Sequence, residues 1–180
     1  MPKRWLQYFH LLPIMTKYSP EQEDDIISEI LYSFEKYNLR DIKEINSTKQ
    51  ELEFTIAVFI LCSCIIDHLS GFRYATDRVK YRYIKFVQEY LPQYDAEELN
   101  NDLRNRLVHN YSLGGYYALT RSKPQGSFKI PKYKILNLDD FIIDLENCLK
   151  RYRVEVQTDP QIRHNALQWY DKYKIIKLAF

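Results

Sequence analysis

Up to about residue 112, apolar residues recur along the chain at the three- and four-residue spacing that one face of a helix requires. Ser19-Pro20-Glu21-Gln22 reads as a capping box with proline at the first helical position. Ile26, Ile27, Ile30, Leu31 and Phe34 follow it, so a first amphipathic helix is expected to end near Tyr37. Ser47 and Thr48, with Gln50 and Glu51 behind them, offer a second start. From about Lys49 to Ser70 the chain is apolar nearly all round, which places this helix at the centre of a bundle, with Gly71 as its stop. Thr76 or Asp77 caps a third helix carrying Val79, Tyr83, Ile84, Val87 and Tyr90 and closed by Pro92. Asp95-Ala96-Glu97-Glu98 opens a fourth, whose buried stripe is Ala96, Leu99, Leu103 and Leu107.

The texture changes after Gly114-Gly115. Tyr116 to Thr120 and Phe128 to Leu136 are β-prone runs around Pro124-Gln125-Gly126, the pattern of a β-hairpin. Asp139 or Asp140 restarts a helix to about Val156, and Asp159-Pro160 caps a last one through Ile176. No repeat, low-complexity tract or linker divides the chain. The expected architecture is mainly α, a single domain over residues 1–180 with its helical core at about 20–112. A β-hairpin at about 116–136 is inserted after the fourth helix, and two C-terminal helices occupy about 139–177.

Composition narrows the chemistry. The net charge of +2 gives no bulk attraction to nucleic acid, so any such attraction must be local. Only 4 glycines argue against glycine-rich phosphate loops. Cys62, Cys64 and Cys148 lie in apolar stretches without disulfide spacing, the pattern of reduced, buried thiols in a cytoplasmic protein. No Cys/His set or acidic cluster forms a metal site, so neither metal nor cofactor is expected. Met1 to Pro13 carries Lys3 and Arg4, but Gln7 and His10 interrupt it and no small-residue cleavage site follows, so it is not read as a signal peptide. Phe54 to Ile66, the longest apolar run, falls short of the roughly 20 residues of a membrane span and reads as a core helix. No membrane partner is expected.

The fourth helix holds the most informative residues. On α-helical geometry Arg104 and His109 stand about 140° apart and about 7.5 Å along the axis. They flank a sector of Asn101, Asn105 and Val108 nearly opposite the leucine stripe. Asn105, four residues before His109, is placed to orient the imidazole, and Tyr111 falls near Arg104 in angle. The imidazole of His109 is the residue type suited to act as a base for a ribose 2′-hydroxyl, while the Arg104 guanidinium matches phosphate oxygens. The plainer alternative makes His109 a cap for the last carbonyls of the helix and Arg104 and Arg106 surface cations, Arg106 pairing with Asp102 or Asp67.

Arg104, four residues, His109, one residue and Tyr111, with Asn105 directly after the arginine, resemble the Arg-x4-His-x-Tyr signature of the HEPN superfamily. The chain is most similar to HEPN toxins that pair with minimal nucleotidyltransferase antitoxins. This resemblance implies a HEPN-like helical bundle, catalytic Arg104 and His109, and supporting Asn105 and Tyr111. It also implies a homodimer whose two motifs meet across a cleft, acting on RNA as a metal-independent endoribonuclease. A toxin–antitoxin or antiphage setting, with an antitoxin protein as a further partner, goes with it. The alternative is a non-catalytic HEPN-like module that binds nucleotide, RNA or protein.

Two other groups bear on the site. Asp67 ends an apolar helix, and a carboxylate half inside a bundle wants a cation; it reads either as orienting Arg104 or as reaching solvent. Arg78, Lys80, Arg82 and Lys85, interleaved with Tyr81, Tyr83 and Phe86, are candidate RNA-binding residues. The alternative for this stretch is a helix whose aromatics face the core while its cations are solvated.

Overall fold

Local capping sets where most of the helices begin. The structure is a computed structural model that describes residues 17–47, 55–121 and 132–175. Helix α1 (Pro20–Ser33) starts as the capping box requires, with Ser19 Oγ accepting from the Gln22 N–H and Gln22 Oε1 accepting from the Ser19 N–H. It does not stop near Tyr37. A π-helical segment, Phe34–Leu39, carries the chain into α2 (Arg40–Ser47). Phe34 and Leu39 are both buried. Five residues apart, they would stand about 140° apart on an α-helix. Closing the turn i→i+5, as the Arg40 N–H does on the Glu35 carbonyl, brings them toward one side.

Helix α3 (Thr55–Tyr74) is the central element, packed against α4, α7, α8 and the helical run that carries the motif. Of its expected start, Ser47 instead ends α2, its hydroxyl donating to the Glu44 carbonyl at 2.8 Å, while Thr48 to Glu51 lie outside the described residues, as do Met1 to Pro13. By length and composition α3 could cross a membrane, with a mean hydropathy of 1.8, but 61% of that stretch is buried within the fold. Its end corrects the sequence reading. Gly71 is not a stop but a buried residue within the helix, because a Cβ there would overlap the Trp169 indole of the last helix. Ala75, at φ 49°, ends the helix instead, and its N–H bonds the Gly71 carbonyl at 2.8 Å.

Helix α4 (Val79–Tyr90) follows without the expected Thr76 or Asp77 cap, since Arg78 occupies the capping position. Asp95 caps α5 (Ala96–Leu99) by accepting from the Glu98 N–H at 3.0 Å. A second π-helical segment, Asn100–Leu107, then leads into α6 (Val108–Asn110).

The two expected strands are β1 (Tyr117–Thr120) and β2 (Lys134–Asn137), but they are not an antiparallel hairpin. They pair in parallel, Tyr117 opposite Lys134 and Thr120 opposite Asn137. Most of the chain between the two strands, with Pro124-Gln125-Gly126 and the first part of the Phe128 run, lies outside the described residues. Asn137, rather than Asp139 or Asp140, caps α7 (Leu138–Thr158), its Oδ1 accepting from the Asp139 and Asp140 N–H groups. Asp159 caps α8 (Pro160–Tyr173) as expected; Ile176 lies beyond the described residues. The result is a mainly α bundle with one small two-stranded element. Phe59, Ile66, Leu69, Phe86, Leu103, Phe141 and Tyr152 fill its centre. Cys62 and Cys148 are buried, whereas Cys64 is exposed, against the buried-thiol expectation.

Candidate functional site

The motif lies on a helix that widens. Across Asn100–Leu107 the ladder runs i→i+5, as when the Val108 N–H reaches the Leu103 carbonyl. Leu99, Leu103 and Leu107 stay buried, while Arg104 and Asn105 are half-buried and His109 is exposed. In a π-helical turn residues five apart fall closer to one side than the about 140° of an α-helix. Arg104 and His109 have that spacing, but the widened ladder ends at Leu107 and His109 sits in the α-helical turn Val108–Asn110 that follows.

Arg104 is held from α3. Its Nε lies 3.8 Å from Asp67 Oδ2, and its Nη1 donates to Asn105 Oδ1 at 3.0 Å. Asn105 thus serves the arginine rather than the imidazole, a correction to the expected Asn105–His109 contact. Asp67 is itself anchored. Arg82 Nη2 donates to its Oδ1 at 2.6 Å, while Arg82 Nη1 donates to the Thr76 carbonyl at 3.0 Å and the guanidinium lies 4.8 Å from the Trp169 ring. Arg82, only 8% exposed, cannot be a surface RNA contact, and its place among the RNA-binding candidates is corrected. The local pattern misled because the residue that buries it, Trp169, lies far along the chain.

Asp102 departs from expectation too. It is fully buried, and its Oδ2 accepts from the Tyr116 and Tyr117 N–H groups at 3.0 and 2.9 Å. Arg106 is exposed and pairs with neither Asp102 nor Asp67. Gly114 lies so close to the Asp102 carboxylate that a Cβ would overlap it. This clasp ties the segment after the motif to the motif helix, and nothing in the local sequence announced it beyond the glycine pair.

His109 makes no hydrogen bond or ion pair among the described residues. Tyr111 ends the helix at φ 52° and ψ 33°, 73% exposed, with its N–H bonded to the Leu107 carbonyl at 3.1 Å. A left-handed conformation in a residue with a Cβ costs about 1–2 kcal/mol. Tyr111 is therefore turned out of the helix, not aligned with Arg104 along it.

Around this centre the basic stretch divides. Tyr83 and Phe86 join the core. Arg78, Lys80 and Lys85 stay at the surface with exposed Tyr81, Lys80 paired to Glu97 at 3.0 Å and Lys85 lying 4.7 Å from the Tyr74 ring centre. On the other side of Asp67 a cleft of about 460 Å³ opens, bounded by Cys64, His68, Arg82, Trp169 and Tyr173. The His68 ring packs on Phe34 and Phe72 at 4.9 and 5.1 Å, and burial pushes its imidazole below the ordinary pKa. Burial raises the Cys64 thiol, and the Asp67 charge adds to the effect. Among the described residues no group of three or more His, Cys, Asp or Glu side chains could hold a metal ion.

Compared with known proteins, the chain matches no family model, no curated protein and no solved structure. The HEPN resemblance accordingly rests on Arg104, Asn105, His109 and Tyr111 and on the helices that carry them. Chemically, the arrangement offers a guanidinium bonded to the Asn105 amide oxygen with the Asp67 charge beside it and, farther along the same helix, an open imidazole. A phosphate can be held by the first while the second exchanges a proton.

Proposed function

We propose that the chain is a HEPN-like, metal-independent endoribonuclease that works as a homodimer, with Arg104 and His109 as its reacting groups. The observation that supports this most is the setting of the two groups on one helical run: Arg104 leans on Asp67, and His109, one turn on, is exposed and without a hydrogen-bond or ion-pair partner among the described residues. In this reading a neutral His109 takes the proton of a ribose 2′-hydroxyl, and the 2′-oxygen attacks the adjacent phosphorus. Arg104 neutralises the charge that gathers on the phosphorane oxygens. The P–O5′ bond then breaks, and the leaving oxygen takes a proton from a second, protonated imidazole. That need for two imidazoles is the chemical reason for a second copy. Asn105 and Asp67 orient Arg104, and Tyr111 supports the site from the loop. Arg78, Lys80, Tyr81 and Lys85 form a surface along which single-stranded RNA would run. A toxin–antitoxin or antiphage role, with an antitoxin partner, belongs to the same proposal.

The test is incubation of purified protein with a mixed RNA pool in EDTA, beside His109→Ala. Cleavage should survive chelation and fall by about 10²–10⁴-fold in the variant. Equal cleavage by both proteins would remove His109 from the reaction. RNA that is bound but never cut would make the chain a non-catalytic binding module instead.

A further inference from the structure

The cleft beside Asp67 shares that residue with the motif, since Asp67 pairs with Arg104. Its walls come from three elements: Asp67 and His68 on α3, Val79 and Arg82 on α4, and Trp169 and Tyr173 on α8. At about 460 Å³ it has the size of a small-molecule site. The rim is tied shut on one side, where the Tyr173 hydroxyl donates to Asp77 at 2.5 Å and Lys172 pairs with the same carboxylate.

Three polar groups converge here with capacity to spare. Asp67 gives Oδ1 to Arg82, but its Oδ2 lies 3.8 Å from Arg104 Nε, beyond hydrogen-bond reach, and remains an open acceptor. His68 makes no hydrogen bond among the described residues, and its burial keeps the imidazole neutral, with one donor and one acceptor nitrogen. The Arg82 side chain is nine-tenths buried, and its Nε has no partner. Between these groups and the rings of Trp169 and Tyr173, the cleft suits a flat body with a polar edge.

The order of donors and acceptors narrows the occupant. A carboxylate only accepts, so it complements neighbouring N–H donors. Of the RNA bases, guanine alone sets two donors side by side on its Watson–Crick edge, N1–H and the N2 amino group, with the O6 acceptor next to them for an imidazole N–H. Asp67 and Asp77 in the cleft are already matched by Arg82 and Lys172, and the phosphate is given to Arg104, the further cation beside Asp67. We propose that this cleft is a base-recognition subsite that seats the guanine of a nucleotide whose phosphate lies at Arg104. The proposal rests on the ribonuclease reading only for its claim that the nucleotide is part of RNA.

Calorimetric titration of the full chain with GMP, AMP, CMP and UMP tests the subsite directly. GMP should bind at least about tenfold more tightly than the others, because a pocket built around a base's donors rejects a base that lacks them. Val79→Phe, which fills the cleft from its rim without touching the Asp67–Arg82 pair, should abolish that preference, as should His68→Ala, with melting curves confirming that both variants fold. GMP bound no better than AMP, or bound equally by all three proteins, would overturn the subsite. Sequencing the cut ends of a random RNA pool gives the second arm. A guanine beside the cut in wild type that disappears in Val79→Phe supports the subsite; an unchanged cut pattern in the variant overturns it and leaves the ribonuclease reading intact. Selective GMP binding by a protein that cuts no RNA would keep the subsite and overturn the ribonuclease reading.

Discussion

Among the described residues, two stretches leave α-helical geometry for a wider turn, and they use it differently. In Phe34–Leu39 the extra residue serves the core, putting Phe34 and Leu39 on one buried side, while Glu35 pairs with Arg153 at the surface and the helix runs on through Arg40. In Asn100–Leu107 polar residues turn inward. Asn100 and Asp102 are fully buried, Arg104 leans on Asp67, and the run ends soon afterwards in the left-handed Tyr111. Wide turns of this kind often mark functional sites. Here the turn alone does not discriminate; the direction of its polar side chains does.

The contrast can be broken most sharply at the two carboxylates. Asp102→Ala strands the buried Tyr117 N–H and should cost about 2–3 kcal/mol in a denaturation experiment. Glu35→Ala loses only a solvent-exposed pair and should stay within about 1 kcal/mol. Equal losses would mean that the two turns are the same kind of feature.

The ends of the two runs should respond with opposite signs. Tyr111→Gly relieves a left-handed residue and should stabilise by about 0.5–1 kcal/mol while, on the proposed ribonuclease reading, lowering RNA cleavage. Arg40→Gly, at a right-handed position inside a continuing helix, should destabilise by about as much. Undiminished cleavage in Tyr111→Gly would take the tyrosine out of the site.

The smallest effect belongs to His68, whose ring touches Phe34 of the first turn while its neighbour Asp67 holds Arg104 of the second. Burial lowers its pKa in the folded state, so the unfolded chain binds the proton first. Stability should therefore decline as pH falls below the unfolded value of about 6.5 and on through the lowered folded one. His68→Phe should flatten that part of the melting-temperature profile. A profile unchanged by the substitution would place the acid sensitivity elsewhere.

What could be read from the sequence was what neighbouring residues decide. Ser19, Asp95 and Asp159 cap helices through side chains that reach only two or three residues ahead, and the leucine stripe of the motif helix is buried as its spacing requires. The need of Asp67 for a cation was legible as well, because a carboxylate at the end of an apolar helix has few alternatives. Distant partners were not. Gly71 passes for a helix stop until Trp169 is placed against it, and Arg82 passes for one more solvated cation until the same indole covers it. The π-helical turns escaped because five-residue spacings are hidden among the threes and fours of ordinary helices. The parallel strand pair escaped because register across residues 121–133 leaves no local mark.

The seat of Trp169 against Gly71 also sets a timetable for synthesis. Central helix and final helix are partners in the same core, yet almost a hundred residues separate them in the chain. Arg82 rests on that indole, and Asp67 rests on Arg82. The support beneath Arg104 is thus completed only when residues 160–173 have left the ribosome and docked. A nascent chain that already displays Arg104 still lacks the floor on which it stands.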